Sequence, residues 1–140
     1  LNRRVKALTD VSLIDGTGKY IKKATIIIEG SRIKEVGKET EVKIPESAEV
    51  IEFKGKTVIP GLIDCHVHLM GLKEPSLLIG LIEPESLKSI RAIIDAWKIL
   101  NAGFTTVRDA GSNVAISLKR AIDEGTIIGP RIIAAGLAIL

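Results

Sequence analysis

The spacing of apolar positions changes near Pro60. Before it, from Arg4 to about Val58, short apolar runs are broken by turn residues. "VKALTDVSLID" leads into the turn-rich "DGTGK", and "KATIIIEG" meets "SRIKEVGK" through Gly30-Ser31. A two-residue link containing glycine between such runs predicts a hairpin. "AEVIEFKGKTVIP" offers two more short extended pieces around Gly55-Lys56. No apolar repeat of helical period occurs here, so this half reads as a small all-β unit.

After Pro60, "GLIDCHVHL" is a strand-like apolar run. Leu87, Ile90, Ile94 and Trp97 then recur at three- and four-residue steps, widened by Ile93 and Leu100. They predict a helix over 84–102 with that stripe facing inward. Pro84 suits its first turn, and Gly103 suits the position past its end. "FTTVRDAG" predicts a second strand. Ser112 or Asn113 caps a second helix through about Glu124, with Ala115, Ile116 and Ile122 on its inner side and Gly125 as its stop. "PRIIAAG" is a third strand. Alternation of apolar strands with helices is the grammar of an α/β fold with a parallel sheet. Between the first strand and first helix, "LMGLKEPSLLIGLIEPES" (Leu69 to Ser86) is too apolar for an ordinary loop. A lid, a short buried helix or a subunit contact would each account for it, and the subunit contact is favoured.

Composition narrows the class. With 46% hydrophobic and 26% charged residues the 140-residue chain is that of a folded protein, and 3% aromatics make its core aliphatic. The apolar runs are too short for a membrane span, and LNRRVKALTD does not read as a signal peptide. A cytoplasmic location is the default expectation. The single cysteine, Cys65, excludes an intrachain disulfide and suits a reducing compartment. The net charge of +3 is spread among alternating Lys, Glu and Asp. No basic stripe points to nucleic acid. "DGTGK" lacks the longer pattern of a phosphate-binding loop and reads as a turn.

Both histidines of the chain, His66 and His68, stand in one tripeptide. On an extended strand Asp64, His66 and His68 share a face, with Cys65 and Val67 on the other. Two imidazoles so placed can converge on one divalent ion. The plainer alternative is a pair that hydrogen-bonds in a core or at the surface. Asp64 either adds a carboxylate ligand or, more readily, orients a histidine or bonds backbone. Cys65 is expected in the core on the helix side, as free cysteines usually are.

"VIPGLIDCHVHLMG" resembles the opening motif of the amidohydrolase superfamily, a Pro-Gly-(apolar)2-Asp-x-His-x-His first barrel strand. "LIDGTGKYIKKATIIIEGSRIKEVGK" is similar to that family's N-terminal β-sandwich segment, and "AGFTTVRDAGSN" to its second barrel strand. "GTIIGPRIIAAG" resembles the third-strand region of the branch with imidazolonepropionases and Xaa-Pro-dipeptidase-like enzymes. The resemblance implies an α/β fold. Residues 59–140 are the first βα units of a (β/α)8 TIM barrel, and residues 1–58 are part of a β-sandwich. It implies one or two divalent metals, usually zinc, with His66 and His68 as the first-strand ligands. The reaction implied is hydrolysis of a C–N bond in an amide, cyclic amide or dipeptide by metal-activated water. In this branch Arg108 and Asp109, adjacent at the end of the second strand, either anchor a substrate carboxylate or brace the rim by an ion pair. The second is favoured, because only one of two neighbours faces inward.

A (β/α)8 barrel takes about 250 residues, and the sequence starts with Leu. A piece of a longer protein, inactive alone and homo-oligomeric when whole, is therefore expected. The competing readings are a non-catalytic relative kept for assembly or binding, and a stand-alone β/α binding protein.

Overall fold

The computed structural model describes residues 4–74 and 76–137, and of Leu77 the backbone alone. The chain divides into two compact units between Pro60 and Gly61.

The first unit is one five-stranded sheet. β1 (Val5–Ile14), β2 (Tyr20–Glu29) and β3 (Arg32–Lys38) run antiparallel in the order β3-β2-β1. The other edge of β1 is shared by β4 (Glu49–Glu52) and β5 (Thr57–Val58), both parallel to it. The β2–β3 link is the expected Gly30-Ser31 turn, with Gly30 at φ 61°. β2 starts earlier than the apolar run predicts, because two bulges compensate. The β1–β2 register shifts once between Leu8 and Val11 and back between Val11 and Leu13. Asp10 and Lys23 sit at these shifts with φ of 51° and 49°, the left-handed geometry a bulge can demand. In the "DGTGK" turn the Asp15 carboxylate accepts from the Thr17 N–H and hydroxyl, each at 2.8 Å, and these bonds hold its pKa below the usual carboxylate value.

Both faces of this sheet are apolar. Val11, Leu13, Ala24 and Ile26 form one cluster, and Ala7 and Ile27 join Val42 in another. Among the described residues the unit is a single sheet, with segment 42–48 contributing to the second cluster.

The second unit is a parallel sheet in the order β6-β7-β8, with β6 (Leu62–Val67), β7 (Phe104–Asp109) and β8 (Arg131–Ala134). A short helix, α1 (Leu77–Ile82), and a long one, α2 (Glu85–Asn101), connect β6 to β7. α3 (Asn113–Asp123) connects β7 to β8. Pro84 is the N-cap of α2, one place before its expected first-turn position, and Gly103 follows the C-cap at φ 96°. Ser112 caps α3, its Oγ accepting from the Ala115 N–H.

The core lies between the helices and the sheet: Ala92 and Ala96 of α2, Val114, Ala115 and Leu118 of α3, Val107, Ile132 and Leu69. This corrects the expected inner stripe. Ile90, Ile94 and Trp97 are more than half exposed, as is Ile116 of α3. The sheet side of α2 is instead Ala92, Ala96 and the partly buried Ile99, spaced three and four apart. Close approach of α2 favours alanine there, while the bulky residues lie on other faces.

Cys65 is also not in the core: it is exposed. β6 is an edge strand of the described sheet, and the helices pack chiefly over β7 and β8. Segment 69–86 resolves into α1 and its flanks. Leu78, Leu81 and Ile82 of α1 are exposed rather than buried, Leu81 at 84%.

Gly71 fixes how closely α2 meets the chain leaving β6. It sits at φ 61°, and a Cβ there would lie 1.9 Å from the Lys88 carbonyl oxygen. Gly71→Ala should therefore cost about 3 kcal/mol, combining left-handed strain with overpacking. Gly125→Ala, at φ 75° in open space, should cost about 1 kcal/mol. Denaturant melts of the two variants measure the difference.

Candidate metal centre

His66 and His68 stand at the C-terminal end of β6, the edge of a parallel sheet where side chains from several strands can meet. Their ring centroids are 5.2 Å apart with planes at 74°. Two nitrogens about 2.1 Å from one ion at a tetrahedral angle set their ring centroids on the order of 5 Å apart. The pair therefore suits two positions of one coordination sphere. Among the described residues no group of three or more His, Cys, Asp or Glu side chains is placed to hold an ion. A catalytic zinc takes three protein ligands and an open position, so the pair fits as part of a donor set.

The strand between Asp64 and His68 is not a plain extended run. Asp64 pairs with Val107 and Val67 with Asp109, three steps along β6 against two along β7. That extra residue is a bulge, so strict alternation does not hold along the stretch that carries Asp64, His66 and His68. The Asp64 carboxylate accepts the His66 backbone N–H at 3.0 Å. Among the described residues it makes no hydrogen bond to either imidazole. Val67 packs against the helix-side core, as expected.

His68 has a contact from the next loop. Its Nδ1 faces the Gly111 carbonyl oxygen at 3.4 Å. A carbonyl only accepts, so this long contact favours the tautomer with the proton on Nδ1 and the lone pair on Nε2. Nε2 is then the nitrogen able to bind an ion.

Arg108 and Asp109 part company, as neighbours on a strand must. Asp109 is wholly buried. Its Oδ2 accepts the Leu69 N–H at 2.7 Å and its Oδ1 the Gly111 N–H at 3.0 Å. Arg108 is exposed, and its Nη1 reaches the Cys65 carbonyl oxygen at 3.4 Å. No ion pair links the two among the described residues. The anticipated rim ion pair is replaced by a carboxylate bonded to backbone.

Two features escaped the sequence reading. Ser112 does more than cap: its Oγ donates to the Leu69 carbonyl at 3.1 Å, and its N–H donates to Gly136. Beside His68 lies a cavity of about 610 Å³, lined among others by Met70, Leu72, Lys73, Glu74 and Asp95. Asp95 is four residues past Arg91 on α2, which pairs with Glu83 at 2.7 Å. Lys88 donates to the Gly80 carbonyl at 2.9 Å, tying α1 to α2. Side chains this far apart in sequence carry no local signal of a shared wall.

Fold and site together define a mixed α/β protein whose parallel sheet carries two neighbouring imidazoles at its C-terminal edge. The chain belongs to the amidohydrolase family, whose sequence profile matches residues 57–139. It is 29% identical over 131 residues to ochratoxinase of Aspergillus niger, covering 91% of this chain and 27% of that protein. It is 47% identical over 53 residues to the imidazolonepropionase of Pseudomonas savastanoi pv. phaseolicola, 36% of this chain and 13% of that one. A crystal structure of a prolidase complexed with N-methylphosphonate-L-proline matches with a TM-score of 0.80 and 36% identity, covering 94% of this chain and 32% of that chain. The chain thus spans about a third or less of the length of these relatives. Members of the family generally use divalent metals. Among the described residues no helix is long and apolar enough to cross a membrane.

Ser112→Ala removes both the α3 cap and the bond to Leu69. It should lower stability by about 2 kcal/mol, read as a shift of the denaturation midpoint at unchanged slope.

Proposed function

We propose that the whole protein containing this chain is a metal-dependent hydrolase of C–N bonds, acting on an amide, cyclic amide or dipeptide. The observation that carries this is the adjacent His66–His68 pair, with His68 Nε2 left free by the Nδ1 contact. Likeness to a prolidase and to imidazolonepropionase and ochratoxinase supports the bond class.

His66 and His68 would hold the ion, zinc being the favoured identity for an imidazole-rich site. Once bound, such an ion polarises a carbonyl and lowers the pKa of a water molecule toward neutrality. Asp64 keeps the backbone at His66 in place through its bond to that N–H. The cavity beside His68 offers room for a small substrate. Arg108 of β7, exposed and reaching the Cys65 carbonyl of the neighbouring strand that carries the pair, is proposed to hold a substrate carboxylate. Asp109 is proposed to act on backbone and not on substrate, through its bonds to the Leu69 and Gly111 N–H groups. The family likeness further supports β6–β8 as the first strands of a (β/α)8 barrel, and the first unit as part of a β-sandwich. The exposed leucines of α1 support a homo-oligomer. With a single, exposed cysteine, a reducing cytoplasmic setting is proposed.

In the whole protein His66→Ala or His68→Ala should strip bound metal and reduce kcat/KM at least about 100-fold, since even residues behind the ligands cost that order. Elemental analysis showing wild-type metal content in both variants would remove the proposal. The isolated 140-residue chain, with two imidazole donors, should hydrolyse no amide.

Arg108→Ala should raise KM about 10- to 100-fold for dipeptides with a free carboxylate, the loss of one charged hydrogen-bonded contact. It should leave the C-terminally amidated analogues nearly unchanged. Equal losses on both would assign Arg108 another role.

A further inference from the structure

His68 is not held by its own strand alone. The acceptor facing its Nδ1 is the Gly111 carbonyl, on the loop after β7, at 3.4 Å. Gly111 is itself tied down: its N–H donates to Asp109 Oδ1 at 3.0 Å. The other oxygen of the same carboxylate accepts the N–H of Leu69, the residue directly after His68, at 2.7 Å. One side chain therefore fixes both sides of the contact, the backbone that carries the ring and the backbone that supplies its acceptor.

From this geometry we infer that Asp109 is a positioning residue for His68, setting the orientation and tautomer of a metal-binding imidazole through Gly111 and Leu69. The inference rests on the reading of His66 and His68 as ligands. It goes beyond that reading by assigning a task to a side chain that faces neither ion nor substrate.

The chemistry of the group explains why a carboxylate is used. Both partners of Asp109 are backbone donors, and only a carboxylate accepts on both oxygens. An asparagine would turn an NH2 toward one of those N–H groups, leaving two donors face to face. Either Leu69 or Gly111 would then shift. If Gly111 moves, His68 Nδ1 loses its acceptor, and the proton is free to sit on Nε2, where it blocks the lone pair. Full burial keeps water from substituting for the missing acceptor. Ser112 adds a second hold, its Oγ donating to the Leu69 carbonyl at 3.1 Å.

The test compares Asp109→Asn with Val107→Ala in the whole protein. Val107 is equally buried on the same strand and its side chain packs in the helix-side core. Its ladder pairing with Asp64 is through backbone, which the substitution leaves in place, so it reports loss of packing without loss of the carboxylate. Zinc affinity is measured by competition with a chelating indicator, below the melting temperature of both variants. The His68 tautomer is read in metal-free protein by 15N-histidine NMR, the signal assigned with His68→Ala.

Asp109→Asn should weaken zinc binding about 10- to 100-fold and shift His68 away from the Nδ1–H form. Val107→Ala, destabilised to a similar degree, should change neither. Wild-type affinity and tautomer in Asp109→Asn would overturn the proposal, as would an equal affinity loss in Val107→Ala.

If Asp109→Asn does not fold, Ser112→Ala loosens the same Leu69 segment. It should give a smaller change in the same direction, and no change in either readout would overturn the proposal. Failure of the metal reading is told apart by His68→Ala retaining full zinc. In that case the tautomer shift in metal-free protein still decides whether Asp109 holds the ring.

Discussion

Asp109 takes its carboxylate wholly out of water, which costs several kcal/mol unless each oxygen finds a donor in exchange. It finds two, the backbone N–H groups of Leu69 and Gly111, in charge-assisted bonds of about 1.5–3 kcal/mol each. Neither N–H is part of a ladder, so removing the acceptor would strand both. The C-terminal edge of the parallel sheet is organised around this exchange. β6 leaves the sheet through Leu69, and β7 leaves it through Gly111. Ser112 then starts α3 while bonding Leu69 and Gly136, the segment that follows β8. Three strand ends are thereby joined through side chains and backbone of residues 109–112.

Much of this was legible in the sequence, and the divide between what was and was not is physical. Local signals carried well: the Gly30-Ser31 turn, the Ser112 cap, Gly103 past α2 and the three parallel-strand segments all follow from the preferences of one or two residues. The two histidines were legible as neighbours because a two-residue step keeps side chains close. What failed depended on long-range packing. The stripe through Ile90, Ile94 and Trp97 was weighted by size, yet the sheet takes the alanines of α2. Cys65 was expected inside by residue type, while its exposure follows from β6 lying at the described sheet edge. The role of Asp109 was visible only as one of an adjacent pair. Its partners lie two residues ahead and forty behind, and no periodicity reports a bond of that second kind.

The exposed apolar surfaces follow the same logic. Leu78, Leu81 and Ile82 on α1, and Ile90, Ile94 and Trp97 on α2, are large apolar side chains left more than half in water. α1 is nevertheless held firmly, by the Ser76 cap, by Lys88 on the Gly80 carbonyl and by the Arg91–Glu83 pair. A short helix anchored this way presents Leu78 and Leu81 on a backbone tied to α2. Such a surface suits burial against further chain or a second copy, and the relatives are about three times as long or more.

The tripeptide His66-Val67-His68 depends on its middle residue. Val67 packs into the helix-side core, pairs with Asp109 across the ladder, and its carbonyl accepts the Ala110 N–H at 2.9 Å. Its side chain and backbone are thus both engaged where the strand has just been disturbed by the bulge after Asp64. An exposed pair of imidazoles on a bulged edge strand would otherwise be free to swing apart. With the residue between them anchored, the residue after them bonded to Asp109, and the residue two before them bonding the first of the pair, the backbone under both rings is held at each step. The spacing matters less as a pattern of ligands than as a way of placing one core anchor between two donors.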